Sequence, residues 1–193
     1  MKIGVLALQG AFIEHIGVLQ KLGAETSAVR LPGELKGLDG LIIPGGESTT
    51  ILNLMHSFSL FEPLRKMAQA GFPFFGTCAG MICLAKRVSD SGNSLKETLS
   101  LMDIEVKRNA FGRQVDSFET ELVVPALGHK PFPGVFIRAP IIERADPHVK
   151  ILSKLPDGTA VAARQGKLLV VAFHPELTND PRFHRYFLKI ASS

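Results

Sequence analysis

Short apolar runs with no polar interruption recur along the first part of the chain, and turn residues close each of them. Three examples are residues 3–8, 40–43 and 72–75, and a shorter strand-like segment is residues 25–29. A continuous apolar run of this length is typical of a strand that is buried on both faces of a parallel sheet. The segments between the runs carry apolar residues at helical spacing, over residues 11–22, 49–58 and 61–70. This alternation predicts an α/β fold with a mainly parallel central sheet.

The second half of the chain has a different pattern. Strand-like runs at residues 104–106, 122–124 and 135–137 have no long helix between them, which favours an antiparallel or mixed edge. A hairpin through Gln165-Gly166 is predicted for residues 161–164 and 167–173, and a last helix for residues 181–190, capped by Asp180 or Asn179. The segments 89–100 and 126–133 are loop-like. Because no repeat or linker is evident, the sequence predicts one domain over residues 1–193.

Composition excludes several classes of protein. The chain has 193 residues, 46% hydrophobic and 21% charged, with a net charge of +4, unlike a disordered tail, a collagen or a disulfide-stapled miniprotein. It contains no block of like charges, so nucleic acid is not indicated as a partner. No segment approaches ~18 uninterrupted apolar residues, so no membrane span is predicted. The first apolar run is too short for a signal peptide, and two cysteines suit a reducing cytosol. We therefore expect a cytoplasmic protein.

The most specific motif is Gly76-Thr77-Cys78-Ala79-Gly80, between the fourth strand and a helix predicted over residues 81–86. It is the thiol counterpart of the G-x-S-x-G nucleophile elbow, in which glycines make room for a tight turn. The turn places the thiol at a helix N-terminus, where thiolate is favoured, and directs the Ala79 N–H toward a developing oxyanion. The alternative is a buried structural cysteine, which is the interpretation we give to Cys83.

His174-Pro175-Glu176 follows a strand at the edge where α/β enzymes keep their sites. We expect a bend at Pro175, which would let Glu176 hold the imidazole while His174 takes the thiol proton. By itself, a His-x-Glu sequence is also compatible with a surface turn. The other five histidines, His15 and His184 among them, have no such setting in the sequence.

A third motif, Pro44 to Thr49, ends the third strand and begins a helix. Its two glycines allow backbone amides to approach a ligand closely, as in an anion hole. The P-loop pattern is absent. A simple turn with Ser48 as the helix cap would explain the same residues.

Together these motifs resemble the class I, triad-type glutamine amidotransferases, and in detail the glutaminase subunits of pyridoxal 5′-phosphate synthase. The matching segments are GVLALQG (residues 4–10), PGGEST (44–49), GTCAGMI (76–82), RNAFGRQ (108–114), FIRAP (136–140) and FHPELT (173–178). The resemblance covers nearly the whole chain in order, and residues 108–114 are specific to this subfamily. It implies a single-domain, flavodoxin-like three-layer α/β fold around a mixed, mainly parallel sheet.

The resemblance also implies roles for individual residues. Cys78 would be the nucleophile, His174 the base and Glu176 the residue that orients it. The backbone N–H groups of Gly46 and Ala79 would form the oxyanion hole. The L-glutamine pocket would consist of Gly46, Glu47, Ser48, Arg108, Ile137 and Arg138. The family needs no metal or cofactor for this step and passes ammonia to a separate synthase subunit in a hetero-oligomeric complex.

Three alternatives remain at this stage. A related glutaminase, such as that of imidazole glycerol phosphate synthase, shares the elbow and His-Pro-Glu but not residues 108–114. A cysteine peptidase or chaperone of the same broad fold often has histidine directly after the nucleophile, where Ala79 stands here. A non-catalytic subunit would have lost a member of the triad, and none is lost.

Overall fold

The structure is a computed structural model, and it describes residues 1–89, 97–108, 110 and 117–193. The helices are α1 (Phe12–Lys21), α2 (Ser48–Ser57), α3 (Phe61–Gln69), α4 (Ala79–Leu84) and α5 (Arg182–Ala191). The strands are β1 (Lys2–Leu6), β2 (Glu25–Val29), β3 (Gly40–Ile43), β4 (Phe74–Thr77), β5 (Ala85–Ser89), β6 (Met102–Lys107), β7 (Ser117–Leu122), β8 (Phe132–Ile137), β9 (Ile141–Ala145), β10 (Lys150–Lys154), β11 (Ala160–Gln165) and β12 (Leu168–Val171). No described helix has the length and apolar character needed to cross a membrane.

A large mixed sheet organises the described part of the chain. Its strand order is β2-β1-β3-β4-β12-β11-β9-β6-β5, with β10 paired to β11. Strands β2, β1, β3, β4 and β12 run parallel to one another, whereas β11 and β9 pair in antiparallel fashion. The predicted fold class is therefore confirmed. The hairpin predicted through Gln165-Gly166 is the antiparallel pair β11–β12.

The parallel strands form as the apolar runs predict, because both of their faces are covered. Every residue of β3 and of β4 is buried. Helix α5 packs on the sheet with its apolar stripe Phe183, Phe187 and Ile190, and the ring of Phe187 lies 5.6 Å from that of Phe75. Among the described residues, the buried apolar side chains of the main sheet and of its helices belong to one continuous core.

The predicted elements were wrong in some places. Strand β4 begins two residues later than expected and includes Gly76 and Thr77, which pair with β3 and β12. The helix predicted over residues 81–86 instead begins at Ala79 and ends at Leu84, and the next residues form β5. Strands β9 and β10 were not predicted, and residues 90–96 of the predicted loop lie outside the described residues.

Strands β7 and β8 form a separate two-stranded antiparallel sheet. The Arg182 guanidinium fastens this hairpin, because it donates to the carbonyls of Lys130 and Pro131 at 2.6 and 2.7 Å. Asp180 in turn holds Arg182, with Nη2···Oδ2 at 2.6 Å. The main-chain N–H of His174 donates to the Val135 carbonyl of β8 at 2.8 Å. The hairpin is thus anchored to the segment that follows β12.

Candidate functional site

The candidate site lies where four parallel strands end. Because β1, β3, β4 and β12 run in the same direction, their carboxyl ends share one edge of the sheet. The residues that follow them include Gln9, Gly46, Cys78 and His174, in that order. Sites in open α/β sheets form at this edge.

Cys78 occupies a strained turn between β4 and α4. Its φ of 49° and ψ of −105° are outside the regions that residues with a Cβ ordinarily adopt. Its N–H donates to the Val171 carbonyl at 2.9 Å, which fixes the turn against β12. A Cβ on Gly76 would lie 2.6 Å from the Gly80 carbonyl oxygen, so the turn closes only with glycine at that position. These contacts are those of the predicted elbow.

His174 and Glu176 are brought into contact by the bend at Pro175. A 3-10 turn over Pro175–Leu177 follows β12, and the imidazole Nδ1 lies 2.7 Å from Glu176 Oε1. Burial alone would lower the pKa of His174, but hydrogen bonds to Cys78 and Glu176 and their negative charges raise it to about 10. A protonated histidine beside a thiol is the arrangement that makes cysteines nucleophilic in enzymes.

The loop after β3 packs closely against this pair. A Cβ on Gly45 would overlap the imidazole Cε1 of His174 and would lie 3.2 Å from Cys78 Cβ. The Gly45 carbonyl accepts the N–H of Ala11 at 3.1 Å, and the N–H of Glu47 donates to Gln9 Oε1 at 2.8 Å. The loop is therefore held from behind by the turn after β1.

The N-cap of α2 is Glu47 and not Ser48, so the simple capping explanation of Ser48 is wrong. The Glu47 carboxylate accepts the N–H groups of Thr49 and Thr50 at 3.0 and 2.7 Å. Although partial burial opposes its charge, these hydrogen bonds and that of the Thr50 hydroxyl lower the pKa of Glu47. Glu47 Oε1 also lies 3.4 Å from Arg108 Nη2, so an anion and a cation lie side by side.

These elements enclose a cavity of about 480 Å³. Its lining comprises Gln9, Gly46, Glu47, Ser48, Cys78, Ala79, Ile82, Arg108, Ile137, Arg138 and His174. The structure thus places the expected nucleophile, the base, both oxyanion-hole residues and the six expected glutamine-pocket residues around one space. Glu176 lies behind His174, with its side chain fully buried.

Two lining residues were missed by the sequence interpretation. Gln9 follows β1, and Ile82 lies on the first turn of α4. A polar residue at the end of a buried strand is the signal that could have indicated Gln9. Of the specific segment 108–114, Arg108 lines the cavity, whereas residues 109 and 111–114 lie outside the described residues.

The pocket wall around residue 137 is also unusual in its backbone. Arg138 has a φ of 45°, a second left-handed residue without glycine at the same cavity. Cys78 Sγ lies 3.9 Å from the Ile137 carbonyl oxygen. Strained residues on both sides of the cavity are typical of a functional site.

The sequence interpretation overlooked two histidines, His15 and His184. Both are fully buried. His15 Nε2 lies 3.4 Å from Glu176 Oε2, and His15 Nδ1 lies 2.9 Å from His184 Nε2. A signal for His15 was present, because it shares a helical face with the apolar Phe12 and Leu19.

Cys83 lies away from this arrangement, as the sequence predicts. It is fully buried in α4, and burial raises the pKa of its thiol.

A second, larger cavity of about 710 Å³ lies beside the β7–β8 hairpin and has neither Cys78 nor His174 in its lining.

Among the described residues, the one grouping with metal-ligand spacing is Asp103, Asp146 and His148. The Lys86 ammonium lies 2.8 Å from Asp103 Oδ1, and His148 Nε2 lies 2.9 Å from Asp103 Oδ2. The Asp103 carboxylate is thus already paired with protein groups.

The class that this fold and cavity define is the glutamine amidotransferases. A solved crystal structure of a glutamine amidotransferase superposes with a TM-score of 0.92 and 49% identity, covering 99% of each chain. Within that class, the chain belongs to the SNO glutamine amidotransferase family, whose profile matches residues 5–193. The resemblance inferred from the sequence motifs is confirmed.

Two relatives with a named subunit type align with nearly the whole chain. The pyridoxal 5′-phosphate synthase subunit PdxT of Dehalococcoides mccartyi is 60% identical over 191 residues, which cover 99% of this chain and 97% of the relative. The PdxT of Herpetosiphon aurantiacus is 59% identical over 188 residues, which cover 97% of this chain and 99% of the relative.

Proposed function

We propose that this chain is the glutaminase subunit of a pyridoxal 5′-phosphate synthase, and that residues 1–193 act as one amidotransferase domain. The observation that carries the proposal is that Cys78 and His174 meet at one cavity, with Glu176 bonded to His174 from behind, in a member of the SNO family. The chain would release ammonia from L-glutamine in the cytoplasm and deliver it to a synthase subunit in a hetero-oligomeric complex.

The chemistry follows from the positions of the three side chains. Cys78 Sγ attacks the side-chain amide carbon of glutamine, and the N–H groups of Gly46 and Ala79 stabilise the oxyanion. His174 transfers its proton to the departing nitrogen, which leaves as ammonia, and a γ-glutamyl thioester remains. Water, deprotonated by His174, then hydrolyses the thioester to glutamate. Glu176 keeps the imidazole oriented through both steps.

Charge complementarity supports glutamine as the substrate. The cavity contains the Arg108 guanidinium and the Glu47 carboxylate, which match the α-carboxylate and the α-ammonium group of a free amino acid. Ser48, the Ile137 backbone and Arg138 would complete the pocket. A peptide has no free α-groups at an internal glutamine, so this pair of charges disfavours the peptidase alternative.

Replacement of each cysteine tests the proposal. Cys78→Ala is expected to abolish ammonia release from glutamine without loss of the fold, because only one sulfur atom is removed. Cys83→Ala is the matched control: it removes the same atom from the core and should retain most of the activity at a modest cost in stability. A glutamine analogue with an electrophilic side chain should label Cys78 alone, as read by mass spectrometry. Labelling mainly at Cys83 would overturn the assignment.

A further inference from the structure

A chain of buried polar side chains continues behind the proposed triad. Glu176 Oε1 is paired with His174, while its other oxygen, Oε2, is buried and makes no hydrogen bond within the described residues. His15 on α1 faces that oxygen with Nε2 at 3.4 Å, and the same Nε2 lies 3.1 Å from Thr77 Oγ1. Behind His15, its Nδ1 lies 2.9 Å from Nε2 of His184 on α5.

Hydrogen-bond accounting decides where the two protons of this histidine pair reside. Desolvation lowers the pKa of both His15 and His184, so both rings are neutral and each carries one N–H. If His15 donated to His184, the His184 proton would have to be on Nδ1, which is buried without a partner in the described structure. The bare Nε2 of His15 would then face the Glu176 carboxylate with a lone pair.

The opposite assignment avoids both the unpaired N–H of His184 and the lone pair of His15 that would face the carboxylate. His184 Nε2–H donates to His15 Nδ1, His184 Nδ1 is a bare acceptor, and His15 carries its proton on Nε2. A bare ring nitrogen buried without a donor costs less free energy than a buried N–H without an acceptor. In the first assignment, repulsion between the His15 lone pair and the Glu176 carboxylate would add to that cost. The proton of His15 is then on Nε2, which lies 3.1 Å from Thr77 Oγ1 and faces the free oxygen of Glu176 at 3.4 Å without a hydrogen bond to it.

We propose that His15 is a positioning residue of the active site: its Nε2–H presents a partial positive charge 3.4 Å from the second oxygen of the Glu176 carboxylate, and His184 fixes the tautomer that makes this possible. Attraction of the second oxygen to this N–H favours the rotamer of the buried carboxylate in which Oε1 receives the Nδ1–H of His174. This inference rests on the proposed function, because it assigns to His15 a contribution to the same reaction. His15 is absent from the cavity lining, so it acts on His174 through Glu176 and not on glutamine.

The contribution of the N–H is separable from that of the ring volume. His15→Leu removes the donor and keeps an apolar side chain, whereas His15→Gln places an amide N–H near the position of Nε2. Partners one layer behind a metal ligand are typically worth roughly 10- to 100-fold in affinity or activity, and we expect an effect of that order here. We expect His15→Leu to lower kcat by about that factor with KM unchanged, and His15→Gln to recover most of the loss.

A packing control is available on the same helix. Leu19 lies one turn further along α1 and is fully buried in the apolar core. Leu19→Ala should lower the melting temperature and leave kcat unchanged when all proteins are assayed well below their melting temperatures. A loss of kcat in Leu19→Ala equal to that in His15→Leu would overturn the proposal, as would equal losses in the Leu and Gln variants at position 15.

A second readout does not depend on glutamine turnover. The rate at which iodoacetamide alkylates Cys78, resolved by peptide mass spectrometry in the full-length chain, reports how well His174 supports the thiolate. We expect slower alkylation in His15→Leu and a near-parental rate in His15→Gln. If the parent protein released no ammonia even with the synthase subunit present, the proposed function would fail, yet the alkylation rates would still decide the role of His15. An unchanged alkylation rate in His15→Leu would reject it.

Discussion

His184 is a histidine that the fold keeps neutral. Burial lowers its pKa to about 4, whereas the unfolded chain holds it near 6.5. Between these values the unfolded state binds a proton that the folded state does not, so stability falls as the pH drops from 6.5 toward 4. His184→Gln should remove this dependence, so that between pH 7 and 4.5 its free energy of unfolding falls by about 2 kcal/mol less than that of the parent.

Urea denaturation at pH 7, 5.5 and 4.5 measures this difference. The exposed His129 provides the matched control, because His129→Gln makes the same chemical change on the surface. His129→Gln should therefore follow the parent at every pH. Identical pH dependence for the parent and His184→Gln would show that burial of His184 does not contribute to acid sensitivity.

At the scale of single residues, the sequence motifs identified the residues that line the cavity better than the residues that hold those residues in place. Cys78 and His174 were identified because chemistry restricts the residue types in their motifs, whereas Arg108 was identified only through the resemblance to the family. His15 and Gln9 were missed because their importance comes from what the fold places beside them, Glu176 in one case and the Glu47 N–H in the other. A single histidine within an apolar helical stripe does not reveal its partner 161 positions away until the topology is known.

At the scale of elements, the buried strands were predicted and the edges were not. Strand β3 was correct in both bounds because an uninterrupted apolar run has few alternatives. The first two residues of strand β5, Ala85 and Lys86, were interpreted as the end of the helix that follows the elbow. Its strand conformation comes from pairing with β6, which is a tertiary interaction that local spacing does not encode.

The loop between β3 and α2 provides a prediction at this scale. Gly45→Ala should lower kcat by roughly 100-fold or more, because the added Cβ would overlap the His174 ring and displace it. Gly17→Ala is the control: Gly17 is in α1, and a Cβ there meets nothing within 4 Å. That substitution should raise the free energy of unfolding by about 0.5–1 kcal/mol with unchanged activity.

Steady-state ammonia release and thermal denaturation of both variants provide the measurement. Full activity in Gly45→Ala would mean that the loop can retreat from His174 without consequence. It would contradict the close packing of this loop on the imidazole.

At the scale of the whole molecule, we expect the isolated chain to be a poor glutaminase that a synthase subunit activates. A di-glycine peptide supports more than one orientation, and only one would aim the Gly46 N–H at the oxyanion. The Gly45 carbonyl is held by a single hydrogen bond from Ala11, worth about 1 kcal/mol. A partner that binds the competent orientation more tightly would shift the population toward it.

Titration of the purified chain with the synthase subunit tests this, with glutamate production as the readout. We expect activation of roughly 10²- to 10³-fold, because one oxyanion-hole donor typically contributes that much to the rate. The Cys78→Ala chain, titrated in the same way, controls for glutaminase activity in the added subunit. Activity that is already full in the isolated chain and flat across the titration would exclude activation.

The hydrogen bonds that attach the β7–β8 hairpin affect how this part of the molecule unfolds locally. The hairpin leads into Ile137 and Arg138, while its Val135 carbonyl and the Lys130–Pro131 carbonyls are bonded to His174 and Arg182. We therefore expect the hairpin and His174 to open together as one cooperative unit of local unfolding. Thermal opening of the cavity wall formed by Ile137 and Arg138 would then also withdraw His174 from Cys78.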